Sequence, residues 1–139
     1  MAGFSNYLED KIINHVFGGT AYTAPSTCYV ALYTSAPTES SASTANEVSG
    51  GGYARQSVGW TIQGSGTARA LSNAALTFPA ATSDWGSVTH AAVVDHVTAG
   101  NILSYETLTK TDYSTANPKT VNTGDIFQID AGNLRVELD

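Results

Sequence analysis

Three histidines, one cysteine, a serine set between glycines and a run of three glycines are the residues of this 139-residue chain with chemistry to offer. A metal site needs two or more His, Cys or carboxylate ligands brought together. His15, His90 and His96 have neither HxH nor HxxxH spacing, and Asp95 next to His96 would point to the opposite face of a strand. A Ser or Cys nucleophile needs a histidine held against it, often on a strained elbow. Gly64-Ser65-Gly66 lacks the outer glycine spacing of such an elbow and reads as a turn. Cys28 lies in the apolar phase of a strand with no cation nearby to lower its pKa. Glu9 and Asp10 are helix-start charges. Gly50-Gly51-Gly52 is not followed by Lys-Ser/Thr and so does not resemble a phosphate loop. The expectation is a chain that is no enzyme and holds no metal or cofactor.

Binding chemistry is better represented, in residues 27–58. Tyr29 and Tyr33 share a strand face with Ala31, opposite Cys28, Val30 and Leu32. If one face fills a core, the aromatic face must meet the N-terminal helix, a loop or another subunit. Tyrosine suits interfaces because its ring buries area while its hydroxyl stays bonded. The polar excursion 35–53 follows, with Glu39 and Glu47 as its charges, no aliphatic residue larger than Val48, and the glycine triplet at its end. Its composition predicts a flexible segment that adds nothing to a core, and long loops of this kind are functional or disordered. The next strand opens with Tyr53 and Arg55. The candidate partner interface is therefore Tyr29, Tyr33, Glu39, Glu47, Tyr53 and Arg55.

The elements that must position these residues follow from hydrophobic period. The N-terminal segment 1–19 reads as the one helix, with Ser5 or Asn6 as cap and Asn6–Glu9 at capping-box spacing. Phe4, Leu8, Ile12 and Val16 fall at steps of four, Ile13 and Phe17 widen the stripe, and Gly18-Gly19 stops it. That helix either closes the sheet of its own subunit or reaches into a neighbour. Beyond residue 21 the period becomes two. Val58, Trp60 and Ile62 alternate with polar residues as one half-buried strand. Short strands follow at 67–71 and 75–78, and residues 88–95 are apolar in both phases, as in a central strand. Strands at 102–109, 126–129 and 134–138 complete the set, the last two as a hairpin around Asp130-Ala131-Gly132-Asn133, and residues 112–123 form a second polar loop. About eight short strands without alternating helices predict a mainly β fold, an antiparallel β-sandwich or jelly roll with a short N-terminal helix, as one domain over 1–139.

Composition sets limits on partners. Only 13% of residues are charged, so Ser, Thr, Asn and Gly must cover the surface, and such a coat loses little side-chain entropy on docking. The net charge is −6, and the six basic residues are scattered. Nucleic-acid binding needs clustered cations and a membrane surface favours them, so both partners are disfavoured. A single cysteine permits no internal disulfide, which fits assembly in a reducing cytoplasm. The start lacks a signal-peptide pattern, and residues 12–38, though uncharged, are too rich in Thr, Gly and Ser to span a bilayer.

Four blocks carry a family resemblance: MAGFSNYLEDKIINHVFGGTAY, YVALYTSAPT, GGGYARQSV and ALTFPAATSDWGSVTHAAVVD. The pattern is similar to small tailed-phage structural proteins, often labelled tail fibre proteins, and to jelly-roll capsid cement (decoration) proteins. It extends from residue 1 to about residue 95 and fades in the last third. The resemblance implies a virion component. Short length and the absence of an internal repeat favour a cement protein on the outer head surface, a homodimer or small homo-oligomer bridging subunits of the major capsid protein. The alternative is a tail-fibre protein that contacts a host surface glycan or protein.

Overall fold

The computed structural model describes residues 3–138, so residues 1, 2 and 139 of the expected domain lie outside the described residues. Among the described residues, twelve short strands and one helix occur in the order β1 (Gly3–Phe4), α1 (Asn6–Val16), β2 (Cys28–Tyr33), β3 (Gln56–Val58), β4 (Trp60–Gln63), β5 (Arg69–Ser72), β6 (Leu76–Thr77), β7 (Gly86–Val88), β8 (His90–Val94), β9 (Ile102–Thr107), β10 (Lys119–Val121), β11 (Gln128–Ile129) and β12 (Arg135–Glu137). Every pairing is antiparallel, so the fold is mainly β as expected. A five-stranded sheet runs β1-β9-β8-β2-β3, accompanied by the three-stranded β12-β5-β4 and the pairs β10-β7 and β11-β6.

The large sheet is buried on both faces. One face gives Val30, Leu32, Ala91, Val93 and Leu103 to the main core, where they meet Leu76, Phe78, Trp85, Val88, Val121, Phe127 and Leu134 from the smaller sheets and their loops. This is the sandwich. The opposite face gathers Ala31, Tyr33, Ala92, Val94 and Ile102, flanked by Tyr29 and Tyr105. The two-phase apolarity of the 88–95 stretch is thus explained: β8 is the middle strand, and both of its faces are covered. At about 25 cal/mol per Å² of apolar area, such two-sided burial is the main stabilising term.

Several boundaries differ from the sequence expectation, each for a visible reason. Val58 and Trp60 do not share a strand. Gly59 accepts a hydrogen bond from Asn73 N at 3.0 Å, and a Cβ there would sit 2.7 Å from Asn73 Nδ2, so the bare backbone lets the chain cross from the large sheet to the three-stranded one. Ile62, expected inside, is 71% exposed as a result. Residues 126–138 form no hairpin: β11 pairs with β6 and β12 with β5, because the turn at 130–133 hands the chain to Ser72, whose carbonyl accepts from Gly132 N at 2.7 Å.

The helix starts at one of its two expected caps, though Phe4, counted in its apolar stripe, lies outside it. Phe4 belongs to β1, and Ser5 is the cap, accepting from Leu8 N at 3.2 Å while its hydroxyl donates to the Ile102 carbonyl. Tyr7 and Leu8 pack against the main core, but the last turn does not: Ile13, Val16 and Phe17 are 58%, 60% and 81% exposed. The apolar stripe is real, and within this chain only its first half is covered.

Candidate functional site

The excursion 35–53 is built into the domain, contrary to the expectation of a flexible loop outside the core. Val48 is in the main core, and its amide donates to the Leu32 carbonyl at 2.9 Å. The glycines close the loop: Gly51, at φ +58, accepts from Thr82 N and Trp85 Nε1, both at 2.9 Å. A Cβ at Gly51 would meet Ser83 Oγ at 2.7 Å and Trp85 Cδ1 at 2.9 Å, so only glycine fits this approach.

Four of the six sequence candidates converge beneath this loop. Arg55 grips Glu47 with two bonds, Nε to Oε1 at 2.7 Å and Nη2 to Oε2 at 2.8 Å, and its Nη1 donates to the carbonyls of His96 and Ala99 at 2.9 and 2.7 Å. Tyr53 donates to Glu47 Oε1 at 2.8 Å and accepts from Leu32 N at 3.0 Å, and its ring packs edge-on to Trp85 at 5.5 Å. Tyr33, 0% exposed, donates to the Ser43 carbonyl at 2.6 Å. Burial pushes both phenols far above their ordinary range, so they act as fixed donors. Burial also works against the charge on Arg55, yet the hydrogen bonds and charge of Glu47 hold its pKa above the ordinary value.

Tyr33, Glu47, Tyr53 and Arg55 therefore clamp the loop onto the sheet, with their polar atoms hydrogen-bonded inside the chain. Of the remaining two, Glu39 is exposed and its carbonyl accepts from Asn6 N at 3.0 Å, linking loop to helix. Tyr29 is half-buried at the edge of the second cluster. His90 lies between the hydroxyls of Thr89 and Thr107 at 2.8 and 3.2 Å, and burial lowers its pKa. Among the described residues, no group of three or more His, Cys, Asp or Glu is placed to hold a metal ion.

A second feature escaped the sequence reading. A cleft of about 590 Å³ opens between the end of β9, the 108–118 loop, β10 and the residues around β11. Its buried lining is apolar, with Ala91, Val121, Phe127 and Leu134, whereas Glu106, Lys110, Tyr113, Asn117, Lys119 and Asn133 stand nearer the solvent. The loop is shaped by Asp112, whose Oδ1 accepts from the amides of Ser114 and Thr115, both at 2.8 Å, and whose Oδ2 accepts from Thr115 Oγ1 at 2.5 Å. Those bonds, the Thr115 hydroxyl first, hold the Asp112 carboxyl below its ordinary range. They set Tyr113 at φ +56, with its ring 3.8 Å from the Arg135 guanidinium carbon. Glu106 is half-buried beside this loop. Burial pushes its carboxyl up, Arg135 draws it partly back, and Glu137 adds to the rise. Of this cleft only the polar loop 112–123 is legible in the sequence, and nothing local points to Glu106 or Asn133.

The family described as Podophage GP4 fiber I protein gp80 matches residues 3–137. The chain belongs to that family. It is thus a member of a phage fibre protein family, and the virion-component reading of the sequence stands. No curated protein matches the chain at a significant level. Within this fibre family member, the Arg55–Glu47 clamp is internal architecture, and the cleft is lined near the solvent by polar side chains.

Proposed function

We propose that the chain is a non-enzymatic fibre component on the tail side of the virion, contacting the host surface. The observation that carries this reading is the fibre-family match from residue 3 to residue 137, which covers the whole described fold. The charge-poor, hydroxyl-rich surface supports it: such a coat docks through many small contacts at little entropic cost. The cleft beside Tyr113 supports it too, as a concave place for a receptor group. The capsid-cement role, with the major capsid protein as partner and a small homo-oligomer as the unit, is the second reading, favoured by the absence of a sequence repeat.

Copy number per purified virion separates the two. About a dozen copies or fewer, with purified chain competing against phage for adsorption to host cells, supports the fibre reading. Hundreds of copies, with heads that lose heat resistance when the chain is missing, overturns it in favour of cement.

A further inference from the structure

We propose that the cleft between the 108–118 loop and β11 is a binding site for a neutral saccharide. This deepens the receptor-contact reading and rests on it for the source of the sugar, a glycan of the host surface. A sugar ring presents apolar C–H faces and an edge of hydroxyls, each both donor and acceptor, so its site needs apolar surface beside polar groups of both kinds. The cleft has that composition. Leu108, Phe127 and Ile129 supply apolar lining, and the Tyr113 ring stands at the mouth. The side-chain amides of Asn117 and Asn133 engage no other described side chain or backbone group, so each offers a donor and an acceptor. At about 590 Å³ the cleft has the size of a small-ligand site, for which roughly 300–1,000 Å³ is usual.

The charges choose among saccharides. Two lysines, Lys110 and Lys119, line the cleft with three carboxylates, Glu106, Asp125 and Asp130. The signs are interspersed and no surplus of cations is present, so a phosphorylated or uronate-bearing sugar meets as much repulsion as attraction. A neutral sugar meets acceptors instead, of which Asp125 and Asp130 already accept from Asn122 N and Gln128 Nε2. Glu106 is the strongest of them: half-buried, with no hydrogen bond or ion pair to its carboxylate among the described residues. Sugar hydroxyls can donate to this half-buried carboxylate through charge-assisted bonds. The loop is ready for this. Asp112 pins its turn and Arg135 holds the Tyr113 ring, so little ordering entropy is lost when a ligand enters.

The test uses the full chain on an array of immobilised neutral oligosaccharides built from glucose, galactose, N-acetylglucosamine and rhamnose, printed beside counterparts carrying uronate or phosphate. Those that bind are titrated into ¹⁵N-labelled chain. The expected result is binding of neutral members, with amide shifts at Tyr113, Asn117 and Asn133. Glu106→Gln and Asn133→Ala should each weaken it about tenfold or more, as the loss of a hydrogen bond to a charged or well-placed polar group implies. Tyr113→Ala serves as a third probe and circular dichroism checks each fold. The proposal is overturned by an array with no binding, by preference for the acidic members, by shifts confined to other surfaces, or by folded variants that bind as wild type does. Chain that blocks adsorption yet binds no saccharide overturns the cleft and leaves the fibre reading standing. Saccharide binding in the cleft of a chain present in hundreds of copies on the head does the reverse.

Discussion

Arg55 and Glu47, eight residues apart in sequence, form a two-pronged ion pair with their side chains only 3% and 11% exposed. The pair joins the end of the long loop to the start of the strand that follows. Arg55 then reaches the carbonyls of His96 and Ala99 in the β8–β9 connection, so one guanidinium ties three segments together.

Glu47→Ala leaves that guanidinium buried without its counter-charge, and a loss of about 3–5 kcal/mol is expected in urea denaturation. Replacing both residues together, Glu47→Leu with Arg55→Met, should cost clearly less than Glu47→Ala alone. Equal costs would show that the charge pairing is not what the site depends on.

Gly51→Ala should destabilise by about 2 kcal/mol or more. A left-handed backbone at a non-glycine residue costs roughly 1–3 kcal/mol, and the new Cβ would also press on Ser83 and Trp85. Trp85 fluorescence should shift along with the unfolding midpoint, since its indole donates to the Gly51 carbonyl.

Ser5→Ala removes a helix cap and the hydroxyl that serves the Ile102 carbonyl at a site only 2% exposed. About 1–3 kcal/mol should be lost, and Ser5→Thr should recover part of it. Amide exchange in the first turn of α1 should speed up in the alanine variant; unchanged protection there would dissociate the cap from the loss.

Phe17→Ser should leave chain stability within about 0.5 kcal/mol, because Phe17 is almost wholly exposed and no core residue depends on it. A loss of several kcal/mol in the thermal melt would mean that the last turn of the helix is covered in solution.

Stability against pH gives a check on Glu106. Its carboxyl is raised in the fold, so as pH climbs through about 4 the unfolded chain releases this proton first, and folding loses stability until the folded Glu106 ionises too. Glu106→Gln lacks that slope. The variant should gain on wild type as pH rises above about 4 and show no relative gain below it. His90, held low by burial, contributes the opposite slope, with stability lost as pH falls through about 6.5; it is common to both proteins and cancels in the comparison. A difference between the two melts that does not vary with pH would remove the desolvated carboxylate.

What the sequence by itself determined is what local geometry encodes. Alternation over 28–33 separated Tyr29, Ala31 and Tyr33 from Cys28, Val30 and Leu32, since consecutive side chains on any strand point to opposite faces. Two-phase apolarity over 88–95 placed a strand in the middle of a sheet, and Ser5, Gly18 and Gly19 bracketed a helix by capping chemistry. Partner choice was decided only by the tertiary structure. Nothing within 126–138 says that its two strands pair with β6 and β5 instead of each other, because a strand edge offers the same amides and carbonyls to any neighbour. Composition made the 35–53 loop look free, but its few anchoring groups, Ser43, Glu47, Val48 and Gly51, act through specific partners on the strands around it and, for Gly51, through Thr82 and Trp85 far along the chain. The cleft is the extreme case. Glu106, Tyr113 and Asn133 become one site only because β9, the 108–118 loop and the residues after β11 converge in space, a non-local fact that no window of sequence contains.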